Sequence, residues 1–206
     1  MTRPERLVLV TGTGTEIGKT WWTAATAGEL RRRGVVVAAR KPVQSFAPGD
    51  RPTDADVLAA ATDEPSETVC RPDRWYRAPM APPMAAEMLG APPFRIADLA
   101  AELAWPERCA VGFVESVGGP RSPLAADGDT VDLARMLTPT MTVLVADAGL
   151  GTINAVRLCS EVLDDPLVVA LNRFKPGVDL HRRNRAWIEV DHDVVVDPVV
   201  LADRLA

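Results

Sequence analysis

The stretch VTGTGTEIGKT, Val10 to Thr20, decides how the rest of the chain is read. It closes on Gly18-Lys19-Thr20, the end of a phosphate-binding loop, yet its earlier glycines miss the common spacing G-x-x-x-x-G-K-[ST]. Position 13, where the first glycine of that pattern belongs, is Thr13; Gly12 comes one residue early and Gly14 lies inside the loop. The context is nevertheless that of a phosphate site. An apolar run, LVLVT (7–11), leads in and a helix-like segment (19–33) leads out. Glycines let a backbone turn its N–H groups toward phosphate oxygens, and the following helix adds the partial positive charge of its N-terminus. Lys19 is then a mobile cation for the β- and γ-phosphates, and Thr20 a hydroxyl for Mg²⁺. The competing reading is a glycine-rich turn carrying a chance Gly-Lys-Thr.

Short β-branched runs alternate with helix-like stretches along the whole chain, which predicts an α/β fold with a parallel sheet covered by helices. The expected buried strands are 7–11, 35–40, 109–115, 141–147, 166–172 and 193–197, each nearly continuous in apolar residues. The expected helices are 19–33, 54–61, 82–90, 96–104, 129–137, 152–163, 179–188 and 199–205; 46–53 and 64–83 are expected to be loops. Gly34 reads as a helix stop and Asp129 as a helix start. Several strands end on a polar residue: Thr11, Arg40, Glu115, Asp147, Asn172 and Asp197. Ligands of open α/β sheets bind beyond the carboxyl ends of the strands, so these residues are expected to line one crevice. No repeat or linker divides the 206 residues, and a single P-loop domain spanning 1–206 is expected.

A formal net charge of −5 argues against a nucleic-acid surface. The basic runs Arg31-Arg32-Arg33 and Arg182-Arg183 read as solvated helix ends. Three dispersed cysteines make neither a disulfide framework nor a zinc site; Cys109 reads as a small core residue. Neither a signal peptide nor a stretch of membrane-spanning length is read, so no membrane partner is expected and a cytoplasmic location is. His181 and His192 stand alone and read as surface or packing residues, as do the methionines of APMAPPMAAEM (78–88). Trp21 and Trp22 form an unusual pair; one is expected to face the sheet and the other a partner subunit.

GTGTEIGKT (12–20) resembles the loop of the dethiobiotin synthetases, G-T-[DG]-T-x-[VI]-G-K-T, at every position. The resemblance implies a P-loop NTPase-like, three-layer, mostly parallel sheet, with Gly14, Thr15, Glu16, Ile17, Gly18, Lys19 and Thr20 around the nucleotide. Gly14 stands where many relatives carry Asp, and Glu16 reads as exposed rather than catalytic. RKPVQS (40–45) is similar to the family's K-P-V segment. It implies a catalytic and substrate-facing Lys41, with Ser45 and Thr15 as hydrogen-bond partners of a carbamate. TDADVL (53–58) implies a metal-holding Asp, with Asp54 the better match and Asp56 the fallback; an ordinary helix cap is the alternative for Asp54.

VESVGG (114–119) is similar to the family's V-E-G-A-G-G and implies Glu115 as a metal ligand, with Ser116-Val117 in place of Gly-Ala; a positive φ needed at 116 would displace or strain this loop. DAGLGTINA (147–155) implies a substrate-carboxylate site at Gly151, Thr152, Ile153 and Asn154, contributed across a homodimer; a plain helix cap by Thr152 is compatible. Asn172 matches the residue that reads adenine, and Pro198, Val199 and Val200 match a segment beside the base. The chain stops at Ala206, earlier than most of the family, so a helix capping the nucleotide is expected to be missing.

What the resemblance implies is ATP- and Mg²⁺-dependent carboxylation of 7,8-diaminononanoate with CO₂, followed by ring closure to dethiobiotin, with Lys19 and Lys41 stabilising the charged oxygens. Two alternatives stay open. A partition-type nucleotide switch would carry a second lysine near the start of the loop, whose only basic residue is Lys19. The other is a relative of the same superfamily acting on an altered substrate.

Overall fold

The computed structural model describes residues 3–164 and 166–206. Six parallel strands form the main sheet: β1 (Arg6–Gly12), β2 (Val37–Arg40), β5 (Val111–Glu115), β8 (Met141–Asp147), β9 (Leu167–Asn172) and β10 (Asp193–Val195). Their spatial order is β10-β9-β8-β1-β5-β2. Between them run α1 (Lys19–Arg32), α2 (Asp54–Thr62), α3 (Ser66–Val69), α4 (Pro82–Met88), α5 (Ile96–Ala101), α6 (Thr130–Leu137), α7 (Thr152–Ser160), α8 (Asp179–Ile188) and α9 (Pro198–Leu205). All six expected strands and all eight expected helices are present, with no end shifted by more than three residues.

Three layers follow from the two-residue period of the strands. Val8 and Val10 of β1, with Val37, Phe113, Val143 and Val145, face α1, α2 and α9 through Trp22, Leu30, Leu58 and Leu201. Leu7 and Leu9, on the opposite face, meet Phe94, Leu99 and Leu133, while Leu144, Val169 and Leu171 meet Val156 and Ile188. Central strands buried on both faces read as continuous apolar runs for this reason. The chain steps from β1 over β5 to the edge strand β2, then returns to build the sheet on the other side through β8. The carboxyl end of β1 therefore lies beside that of β5, which carries Glu115.

The stretch 64–83 departs from the expected loop. It holds α3, a 3₁₀ turn at Pro72–Arg74 and the two-residue strand β4 (Trp75–Tyr76), paired in parallel with β3 (Gln44–Ser45). Prolines 65, 72 and 82 open these pieces rather than preventing them, because proline suits the first position of a helix. A second small hairpin joins β6 (Pro123–Ala125) to β7 (Gly128–Asp129). Gly34 follows α1 with φ +80°, as a helix stop requires. Arg182 and Arg183 lie in the first half of α8, not at its end, and both pair with Asp179. Arg31, Arg32 and Arg33 do close α1, paired with Asp63, Glu29 and Asp203. Trp22 is buried in the sheet-facing core and Trp21 is exposed.

Asp129 starts α6 as read from the sequence. Its carboxylate accepts from the Val131 and Asp132 N–H groups, and Asp132 returns a bond from the Asp129 N–H, completing a capping box. Asp129→Ala is expected to lower unfolding free energy by about 1 kcal/mol. Urea denaturation, with an unchanged slope and a lowered midpoint, is the measurement.

Candidate active site

The loop 12–18 joins β1 to α1, and its conformation explains the shifted glycines. At Gly12 a Cβ would stand 2.5 Å from Ile17 Cγ2. Gly18 has φ +99°, and a Cβ there would collide with the Asn172 amide. Around Gly14, by contrast, there is open space and no positive φ, so that position does not demand glycine. The chain takes its other left-handed turn at Glu16, φ 56°, an exposed non-glycine residue. Two flanking elements hold the loop. Asn172, ending β9, donates from Nδ2 to the Ile17 carbonyl at 2.9 Å. Arg173 reaches the Glu16 carbonyl at 3.2 Å and Asp147, ending β8, at 2.9 Å.

Beneath the loop lies a polar cluster. Phe113 faces α1, so two residues later Glu115 must as well, at the end of the same strand. It has no solvent exposure. Its Oε1 accepts from Lys41 Nζ at 2.7 Å and lies 2.7 Å from Thr20 Oγ1; its Oε2 accepts from Thr23 Oγ1 at 3.1 Å. Lys41, just past β2 and 1% exposed, also contacts Asp54 Oδ2 at 2.8 Å. Thr20 Oγ1 lies 2.9 Å from Asp54 Oδ1, so its single proton can serve only one of the two carboxylates at a time. Lys19 folds back to donate to the Gly14 carbonyl at 2.9 Å.

The charges follow from this packing. Burial works against the Lys41 ammonium, but the Glu115 and Asp54 carboxylates outweigh it and raise its pKa beyond the ordinary lysine value. The Lys41 charge in turn holds the Asp54 carboxyl below its usual range, against the pull of burial. Lys19 is pushed down to about 8, first by burial and then by the neighbouring Lys41 charge.

A crevice of about 680 Å³ opens over the cluster. It is lined by Thr15, Glu16, Gly18, Lys19, Thr20, Lys41, Ser45 and Asp54 among others, so most residues expected around phosphate, metal and acceptor come together. Asp54 and Asp56 separate clearly. Asp54 points to Thr20 and Lys41, whereas Asp56 makes a capping box with Thr53 and binds Ser66 and Arg51. The cap of α2 is therefore Thr53, and Asp54 is free for the crevice. Ser45 donates to the Met80 carbonyl at 2.6 Å, which leaves its oxygen as an acceptor.

None of the six strand-end residues expected to line the crevice does so: Thr11 and Glu115 are fully buried, Glu115 beneath it, and Asp147 and Asn172 brace the loop. Arg40 turns to Glu64, the Ala104 carbonyl and the Trp105 ring; Asp197 caps α9 by accepting from the Val199 N–H. Ser116 carries no positive φ; that conformation falls at Gly118, φ +57°, so the Ser-Val replacement leaves the loop unstrained at 116. Gly151 through Asn154 open α7 outside the lining of this crevice, with Gly151 rather than Thr152 in the cap position and the Thr152 hydroxyl buried with no partner among the described residues. Pro198, Val199 and Val200 form the first turn of α9, with both valines exposed, and do not line the crevice either. His181 accepts from the Lys175 N–H and His192 meets Ser160, both structural contacts. Sequence reasoning missed Thr23 and Gln44. Thr23 had one available signal: three residues after Thr20, it shares that helix face.

Among the described residues no group of three or more His, Cys, Asp or Glu could hold a metal ion. What does converge is a hydroxyl and two carboxylates, hard oxygen ligands that suit Mg²⁺ when phosphate and water complete its shell. Among the described residues no helix is long and apolar enough to cross a membrane.

Comparison with known proteins agrees with this geometry. Residues 6–189 match the model of a family described as an AAA domain. The chain is 37% identical over 203 residues to the ATP-dependent dethiobiotin synthetase of Anaeromyxobacter sp. strain K, covering 96% of this chain and 84% of that one. It is 41% identical over 160 residues to the enzyme of the same name from Rhodococcus jostii RHA1, covering 76% and 67%. Among solved structures it resembles the signal recognition particle receptor FtsY of Elizabethkingia anophelis in complex with GDP, with TM-score 0.54, 13% identity, and coverage of 100% of this chain and 64% of that one. It also resembles the 54 kDa signal recognition particle protein of Aeropyrum pernix K1 in complex with GDP, with TM-score 0.51, 15% identity, and coverage of 99% and 46%. At such identities those two likenesses speak for the fold alone. The chain belongs to the family of ATP-dependent dethiobiotin synthetases, ligases built on a P-loop fold.

Proposed function

We propose that this chain carboxylates and cyclises 7,8-diaminononanoate to dethiobiotin, using CO₂ and ATP with Mg²⁺. The observation that carries the reading is the meeting of Lys19, Thr20, Lys41, Asp54 and Glu115 around one crevice at the phosphate loop. One amine of the substrate adds to CO₂ and loses a proton, giving a carbamate. A carbamate oxygen attacks the γ-phosphorus of ATP and ADP leaves. The second amine attacks the carbonyl of the resulting mixed anhydride, closes the five-membered urea ring and expels phosphate. Each step gathers negative charge on oxygen, so the protein's task is to place fixed positive charge there.

Lys19 and Lys41 are suited to that task, and Lys41 more firmly so, because its carboxylate partners keep it protonated. Thr15 hydrogen-bonds the reacting oxygens from the loop side, with Gly14 to Thr20 wrapping the phosphates. Thr20, Asp54 and Glu115 would hold Mg²⁺, which when bound neutralises phosphate charge. Asn172, already bound to the loop, and Pro198, Val199 and Val200 take the base. Gly151, Thr152, Ile153 and Asn154 serve the substrate carboxylate of a second copy of the chain, since they open α7 outside their own crevice.

The deciding experiment is ADP release from the purified protein. It is expected to require both the diamine and bicarbonate, and equal hydrolysis without the diamine sinks the reading. Lys41→Ala is a poor probe, because stripping Glu115 of its buried partner costs about 3–5 kcal/mol of stability. Lys41→Gln also leaves the Glu115 charge without a counter-charge but keeps hydrogen-bond donors for it, so it is the milder probe. It is expected to keep ATP affinity and lose roughly 10²- to 10³-fold in kcat, the scale of a preorganised donor at developing charge. Asp54→Asn is expected to raise the Mg²⁺ concentration for half-maximal rate by at least on the order of tenfold, since even outer-shell partners are worth that much. Asp56→Asn should leave the Mg²⁺ requirement unchanged and cost about 1 kcal/mol of stability through the lost capping box.

A further inference from the structure

Gln44 is 2% exposed, lies in the short strand β3, and lines the crevice. Its Oε1 accepts from the Ala55 N–H at 3.2 Å. That N–H belongs to the first turn of α2, where backbone donors have no partner within the helix. The bond settles which way the amide faces, for a donor N–H must meet the oxygen. The nitrogen therefore occupies the other edge of the amide, and Nε2 has no hydrogen-bond partner. Among the described residues, seven buried side-chain nitrogen and oxygen atoms are unpartnered; Gln44 is the one whose residue lines the crevice. Two N–H groups left unpaired in a buried place are costly, and such a group in a native site calls for a partner.

The partner must be an acceptor. The side chains around the crevice divide sharply in what they offer. Lys41 is committed to Asp54 and Glu115, and the Ser45 proton to the Met80 carbonyl. We propose that Gln44 orients the carboxylated substrate, its Nε2 donating to a carbamate oxygen while its Oε1 holds the helix that carries Asp54. The inference rests on the carbamate chemistry proposed above. The two edges of one amide thus register the acceptor oxygen of the substrate against a carboxylate placed for the metal.

Two variants separate this from a purely capping role. Gln44→Glu keeps an acceptor for the Ala55 N–H and removes the donor; Gln44→Met removes both. For Gln44→Glu, which puts a carboxylate where the residue is 2% exposed, the urea midpoint is expected to fall and ATP affinity to stay unchanged. Its kcat/KM for the diamine should fall roughly 10- to 100-fold, as for loss of a hydrogen bond to a charged group. Gln44→Met should show the same kinetic loss together with a lowered midpoint. If Gln44→Glu keeps kcat/KM within about twofold of the parent, the amide only caps α2 and the proposal falls. A parallel loss in ATP affinity and diamine kcat/KM also overturns it, because the effect then passes through α2 rather than the substrate. If the parent protein releases no diamine-dependent ADP, the carbamate reading itself fails and takes this inference with it; activity in the parent with unaffected variants removes this inference alone.

Discussion

A carboxylate without solvent contact, Glu115, is the constraint around which the site is arranged. An isolated ionised carboxylate cannot be buried without partners, so its position at the end of β5 obliges other elements to supply them. Lys41 comes from the end of β2, and Thr20 and Thr23 from successive turns of α1. Lys41 is itself buried and draws in Asp54 from the first turn of α2. Four elements are thereby registered against one another by charge as well as by the apolar layer behind them. Removing either member of the Glu115–Lys41 pair leaves a buried charge alone, which is why the cluster behaves as one unit.

Lys19 stands apart in that unit. Among the described residues its ammonium donates only to the neutral Gly14 carbonyl, and burial with the Lys41 charge pushes it down to about 8. A lysine held this way is poorly matched to an uncharged surrounding and well matched to an anion. Phosphate oxygens at the loop would replace the carbonyl with a charged acceptor and gain the stronger, charge-assisted bond. The loop is therefore organised for a ligand by what its cation lacks.

Much of this was legible in the sequence, for identifiable reasons. Strands buried on both faces write themselves as apolar runs, and Gly34 and Asp129 mark helix ends by their own chemistry. Glu115 announced itself as a charge closing such a run. The segment 64–83 was less legible because its prolines and charges resemble those of a loop, while its short elements are fixed by contacts far along the chain. Arg74, for instance, pairs with Glu102 and lies over the Phe94 ring. Arg40 and Asp197 shared the strand-end position of Glu115, and only packing shows that Glu64 and the first turn of α9 claim them. The resemblance preferred Asp54 to Asp56 without a physical reason; the reason is that Thr53 takes Asp56 into its cap.

The same competition for partners decides the polarity of the crevice. Ser45 would read as a donor or an acceptor in isolation; the Met80 carbonyl takes its proton, and only lone pairs remain. In the proposed reaction, an amine is the substrate group that such an oxygen can meet, whereas a carbamate oxygen needs a donor. Gln44, one residue earlier in β3, is in the opposite position, because α2 takes its oxygen and leaves its nitrogen. Two adjacent polar residues thus present opposite characters, and neither character is written in the residue type. Each is the remainder after the fold has satisfied its own backbone, which places the recognition chemistry of this site in the loop that carries Met80 and the helix that carries Ala55 as much as in the side chains that face the ligand.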